Sequence, residues 1–131
     1  MTTCFITEGH VYLNLSKLND SEDSLVMISK ELARNPTVEH LDLSSNQLEP
    51  HDIENLSRSL LNYTNLRRLN LRFNQTTNRG IPLITQVIDN NPQLESIDLK
   101  SNGISDEGAI ILSAHLGHVR RLSLRYEIFS E

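Results

Sequence analysis

The 131-residue chain has no tryptophan and one cysteine, Cys4. A single cysteine cannot close an internal disulfide, so the chain suits a reducing compartment and cytoplasmic localisation is expected. Long hydrophobic runs are missing: no stretch approaches the roughly 18 apolar residues of a membrane span. The opening MTTCFITEG has neither the basic start nor the apolar segment of a signal peptide. No membrane partner is expected. Basic residues are in deficit, with 12 Lys and Arg against 17 Asp and Glu, for a net charge of −5 and a pI near 5.5. That balance argues against a protein that binds nucleic acid over its whole surface, although a local basic patch stays compatible with it. The five glycines are scattered and form no phosphate-cradling loop. The length admits one core and one domain.

What the chain does have is a period. With Val38 as position 1 of a unit, Leu66 and Leu94 begin the next two, each 28 residues on. Position 4 reads Leu41, Leu69, Ile97; position 6 reads Leu43, Leu71, Leu99; position 9 reads Asn46, Asn74, Asn102. A preceding unit is degenerate, with Leu13 and Leu15 in the leucine columns and Leu18 in place of the asparagine. A following one, beginning at Val119 after 25 residues, carries Glu127 there and stops in mid-unit. Regularity of this kind marks a repeat architecture.

Within each unit the apolar spacing changes halfway. The first six positions alternate as a half-buried strand does. The second half then places Leu25, Ile28, Leu32, then Ile53, Leu56, Leu60, then Ile81, Ile84, Ile88, then Ala109, Leu112, Leu116 at helical spacing. Asn35-Pro36 and Asn91-Pro92 are expected to stop two helices, Pro82 to sit in a first turn, and Ser105 to cap the last helix. No linker divides the units.

LxxLxLxxNxL followed by a helix, in units near 28 residues, resembles the leucine-rich repeats of the ribonuclease-inhibitor type. The resemblance implies an α/β solenoid with a parallel sheet on its concave side, helices on its convex side and leucines stacked between. It covers residues 10–126, with 1–9 as an N-terminal cap that folds back at Glu8-Gly9 and 127–131 as a C-terminal tail. A buried amide carries two donors and an acceptor, so Asn46, Asn74 and Asn102 are expected to satisfy backbone groups where the chain turns inward after each strand. Asn74 heads one of the chain's Asn-x-Ser/Thr sequons, and a glycan on a buried asparagine would wreck the fold, so the sequons read as coincidence.

If positions 4 and 6 point inward, positions 2, 3, 5, 7 and 8 face out from the sheet. These columns hold eight basic side chains against four acidic ones, so an acidic chain is expected to wear a basic concave face. Glu39, Arg67, Glu95 and Arg120 alternate along position 2 and read as a self-satisfied charge ladder. Arg68, Arg72, Lys100, Arg121 and Arg125 are less fully matched. Phe73 and Tyr126 share a column beside arginines, the residue types that dominate interface hot spots. Phe73 turning inward over the sheet edge is the competing placement.

No catalytic constellation emerges. His115 and His118 lack a third metal ligand, His40 and Asp42 share a strand face without a nucleophile, and no cofactor is implied. The expected function is a non-enzymatic protein-interaction module. It binds an acidic protein partner through Arg68, Arg72, Phe73, Lys100, Arg121, Arg125 and Tyr126, as a monomer, without a small-molecule substrate. Proteins of the ribonuclease-inhibitor type bind other proteins in this way. Compact repeats with an acidic tail such as YEIFSE also resemble effectors that intracellular bacteria inject, which would place the chain in a host cytosol. A regulator of a small GTPase, using an exposed arginine, and an RNA-binding surface are the alternatives. At the C-terminal end Ile128 and Phe129 are expected to fold back as a minimal lid.

Overall fold

The computed structural model describes residues 3–7, 10–18, 24–61, 63 and 65–124. Six strands form one sheet in chain order: β1 (Thr3–Thr7), β2 (His10–Asn14), β3 (His40–Asp42), β4 (Arg68–Asn70), β5 (Ser96–Asp98) and β6 (Arg121–Ser123). Strands β2 to β6 are parallel and aligned on their inward residues, Leu13 beside Leu41, Leu69, Ile97 and Leu122. A sequence period of 28, shortened to 25 before β6, therefore becomes an exact spatial column. The first strand pairs antiparallel with β2, with Thr7 opposite His10, so the chain does fold back at its start. The hairpin adds a strand to the sheet beside β2; Glu8 and Gly9 lie outside the described residues.

Between parallel strands run α1 (Ser24–Arg34), α2 (Pro50–Ser59), α3 (Ile81–Asn90) and α4 (Asp106–Ser113), with a 3-10 turn at Asn78–Gly80 ahead of α3. Their predicted stripes face the core: Ile28, Leu32, Ile53, Leu56, Leu60, Ile81, Ile84, Ile88 and Leu112 are all buried. Each helix packs against the next. Packed helices need 8–10 Å between axes whereas strands sit about 4.8 Å apart, so stacking the two layers curves the array with the sheet inside.

Local signals set the helix ends. Helix α1 stops at Arg34 and α3 at Asn90, each followed by Asn-Pro, and both asparagines donate back into the helix, Asn35 to the Glu31 carbonyl and Asn91 to that of Val87. Helix α2 starts with Pro50 in its first turn, and the Asp52 carboxylate accepts the Glu49 N–H at 2.9 Å. Pro82 lies in the first turn of α3 as expected. Ser105 precedes α4, but its hydroxyl does not cap that helix. It accepts from the Asn78 side-chain amide at 2.8 Å, while its N–H donates to Asn78 Oδ1 at 3.1 Å, which clamps two coils together.

The asparagine column does what its chemistry suggests. Asn46, Asn74 and Asn102 are buried. Asn74 Nδ2 donates to the Leu43, Leu71 and Arg72 carbonyls, and its Oδ1 accepts from the N–H groups of Asn46 and Leu48. Each amide thus joins its own coil to the one before it. At the far end, Leu122 and Leu124 are only half-buried where Leu69 and Leu71 are fully covered. The expected lid, at 127–131, lies outside the described residues.

Candidate functional site

The strands present their flanking residues outward as the alternation requires: around buried Leu41, His40 and Asp42 are half-buried, and around buried Leu69, Arg68 is exposed and Asn70 half-buried. Position 5 has a structural duty that charge counting missed. Asn14 and Asp42 each accept, through Oδ1, from both the N–H and the hydroxyl of the serine two residues on, Ser16 and Ser44. Asn70 Oδ1 accepts the Arg72 N–H at 3.0 Å and Asp98 Oδ1 the Lys100 N–H at 3.1 Å. These are Asx turns that lead the chain off the sheet, and four Asx residues in one column were the available signal. Asp42 and Asp98 are therefore not simply counter-ions for the arginines.

The next turn requires left-handed backbone at position 8: Lys17, Ser45, Phe73 and Ser101 have φ of 56°, 60°, 57° and 59°. A bulky residue rarely adopts that conformation, so Phe73 holds it because the coil imposes it. Its ring stands outward, 54% exposed, which excludes the inward placement. The Arg72 guanidinium lies 5.4 Å from the ring centroid, within cation–π range. Arg72 Nε is also 3.6 Å from Asp98 Oδ2, too long for a direct hydrogen bond.

Along position 2 one rung of the expected ladder is paired. The Arg67 guanidinium donates to the Glu95 carboxylate, with Nε at 2.9 Å and Nη2 to the same oxygen. That hydrogen bond holds the Glu95 carboxyl below its ordinary range and the guanidinium above its own. Arg68, Lys100 and Arg121, in contrast, make no ion pair among the described residues and share the concave face with the Arg72–Phe73 pair. Arg125 and Tyr126 lie outside the described residues.

At the other end of the face lies a feature assembled from residues that sequence reasoning left aside. Tyr12 and His40, neighbours on β2 and β3, stack with ring centroids 4.1 Å apart. They form one wall, with Arg68, of a hollow of about 230 Å³; Asn14, Asp42 and Asn70 form the other. A broader depression of about 420 Å³ at the strand entrances includes Arg67, Glu95, His118 and Arg120. His115 instead faces Asp89, 3.0 Å away. Among the described residues no group of three or more His, Cys, Asp or Glu is placed to hold a metal, and no described helix is long and apolar enough to cross a membrane.

Stacked strand–turn–helix coils, joined by a buried asparagine column and presenting a polar sheet, define a repeat solenoid. The chain belongs to the leucine-rich repeat family, whose pattern matches residues 34–57, 64–81 and 90–113, about half the chain. No curated protein sequence matches it. Among solved structures it is similar to "Leiomodin-1 Actin-Binding Site 2 (ABS2)", with a TM-score of 0.74 and 19% identity over 89% of this chain and 71% of that one. At that identity the likeness is one of fold.

Proposed function

We propose that this chain is a protein-interaction module without catalytic activity, of the ribonuclease-inhibitor type, whose concave sheet receives an acidic protein surface. The observation that carries the reading is the cluster of Arg68, Lys100 and Arg121, cations without an ion pair among the described residues, on one face of a chain whose net charge is −5. Exposed charges of this kind gain little from one another and much from a partner of opposite sign, chiefly through faster encounter. Arg72 and Phe73 add the pairing of guanidinium and aromatic ring that interfaces favour. The 28-residue unit with a full helix in each coil supports the ribonuclease-inhibitor type.

The test is capture with wild-type protein and with Arg68→Glu combined with Arg121→Glu. Purified actin is the first bait, since the leiomodin domain of similar fold is an actin-binding site; a eukaryotic lysate is the second. Capture that the double variant loses, with its melting transition unmoved, supports the reading. Capture that survives at physiological salt moves the functional surface to the helical side. A titration with mixed single-stranded RNA separates the nucleic-acid alternative, whose binding would weaken steeply with added salt.

A further inference from the structure

The hollow between the Tyr12–His40 stack and the column Asn14, Asp42, Asn70 is not explained by a general attraction for acidic surfaces. Its volume of about 230 Å³ lies below the roughly 300–1,000 Å³ of pockets that hold whole small ligands, and suits one side chain. One wall is aromatic and ends in the Arg68 guanidinium. The opposite wall is pre-set: Asn14, Asp42 and Asn70 each spend Oδ1 on the turn that follows their strand, so their side chains cannot swing away. In that wall Asp42 is singular. The equivalent Asp98 turns its Oδ2 toward Arg72 on the preceding coil, but the residue at that position on the coil before Asp42 is Ser16, whose hydroxyl is already given to Asn14. Asp42 Oδ2 therefore has no cation or donor among the described residues, and it is an acceptor only.

We infer that this hollow is an anchor site for an aromatic side chain bearing a hydrogen-bond donor, above all tyrosine, presented by an acidic segment of a protein partner. The ring lies in the hollow beside the Tyr12–His40 pair, its edge near Arg68 for a cation–π contact, and its hydroxyl donates to Asp42 Oδ2. Acidic residues on either side of the tyrosine meet Arg68, Lys100 and Arg121. An apolar side chain of the same size leaves the carboxylate desolvated and unpaired, so the site discriminates against it. The inference rests on the concave face being the binding surface and names the chemistry that binds there.

The experiment is an NMR titration of the ¹⁵N-labelled protein with a blocked pentapeptide, one tyrosine between two pairs of acidic residues, and with analogues carrying phenylalanine or leucine at the centre. The tyrosine peptide is expected to shift the amides of Tyr12, His40, Asp42 and Arg68 and to bind about tenfold more tightly than the phenylalanine peptide, the worth of one charge-assisted hydrogen bond. Asp42→Asn should erase that tenfold preference without moving the melt, because asparagine already serves the same turn at Asn14 and Asn70. If all three peptides bind equally and shift only Arg68, Lys100 and Arg121, the acidic-partner reading stands and the anchor site is overturned. If none shifts any concave amide, both fall.

Discussion

Replacing Asn74 with alanine is the perturbation whose cost the hydrogen bonds let one count. The Asn74 amide makes five bonds, but they are not equally irreplaceable. The Leu43 carbonyl also accepts from Asn46 Nδ2, the Leu71 carbonyl from Asn102 Nδ2, and the Arg72 carbonyl from the Ser45 N–H, so all three keep a donor. The N–H groups of Asn46 and Leu48 have no other acceptor among the described residues. A buried donor left unsatisfied costs about 1–3 kcal/mol, so two of them make Asn74→Ala about 4 kcal/mol destabilising. Among the described residues Asn102 Oδ1 accepts from one N–H, that of Thr76, so Asn102→Ala should cost about half as much. Urea melts followed by circular dichroism, compared at matched m-values, measure both. For a domain of this size the difference corresponds to roughly 8 °C in melting temperature. A loss below about 1 kcal/mol for Asn74→Ala, or equal losses for the two variants, would refute the view that stranded N–H groups set the cost.

Three other outcomes are expected. Burial pushes the Tyr63 hydroxyl up to about 12 from its ordinary 10.0. Between those values the unfolded chain ionises while the folded one holds its proton, so stability falls as pH rises from 10 to 12 and is fully present below 10. The loss reaches roughly 2–3 kcal/mol and should be absent in Tyr63→Phe, as pH-dependent melts would show. That variant should cost about 1 kcal/mol at neutral pH, because the Leu32 carbonyl that takes the Tyr63 hydroxyl also accepts the Asn35 N–H. Gly108→Ala should destabilise although alanine favours helix by about 1 kcal/mol, since the new methyl would stand 2.3 Å from Asn78 Oδ1 and break the Asn78–Ser105 clamp; combining it with Asn78→Ala should recover the helix gain in a double-mutant cycle. Glu95→Ala should leave the neutral-pH melt nearly unmoved, because its ion pair with Arg67 is still half-open to solvent, and a clear downward shift would show that the ladder carries stability.

The sequence by itself determined the coil. A 28-residue period with alternation in one half and helical spacing in the other left one arrangement that buries every leucine column, and it named Asn46, Asn74 and Asn102 as the amides inside. It also placed Arg68, Lys100 and Arg121 on the face opposite those leucines, because strand alternation is local and allows no other side. The tertiary structure decided how outward side chains divide their bonding. Asp42 and Asp98 both serve turns, yet only Asp98 has an arginine beside its second carboxylate oxygen, where the coil before Asp42 offers Ser16. Tyr63 sends its hydroxyl to Leu32, Asn78 reaches Ser105, and Tyr12 lies flat on His40, each contact joining residues 27 to 31 apart. A period announces which residues become neighbours. Which atoms meet depends on rotamers, on the sheet's stagger and on the curvature forced by thick helices behind thin strands, and those are fixed only when all the coils are stacked.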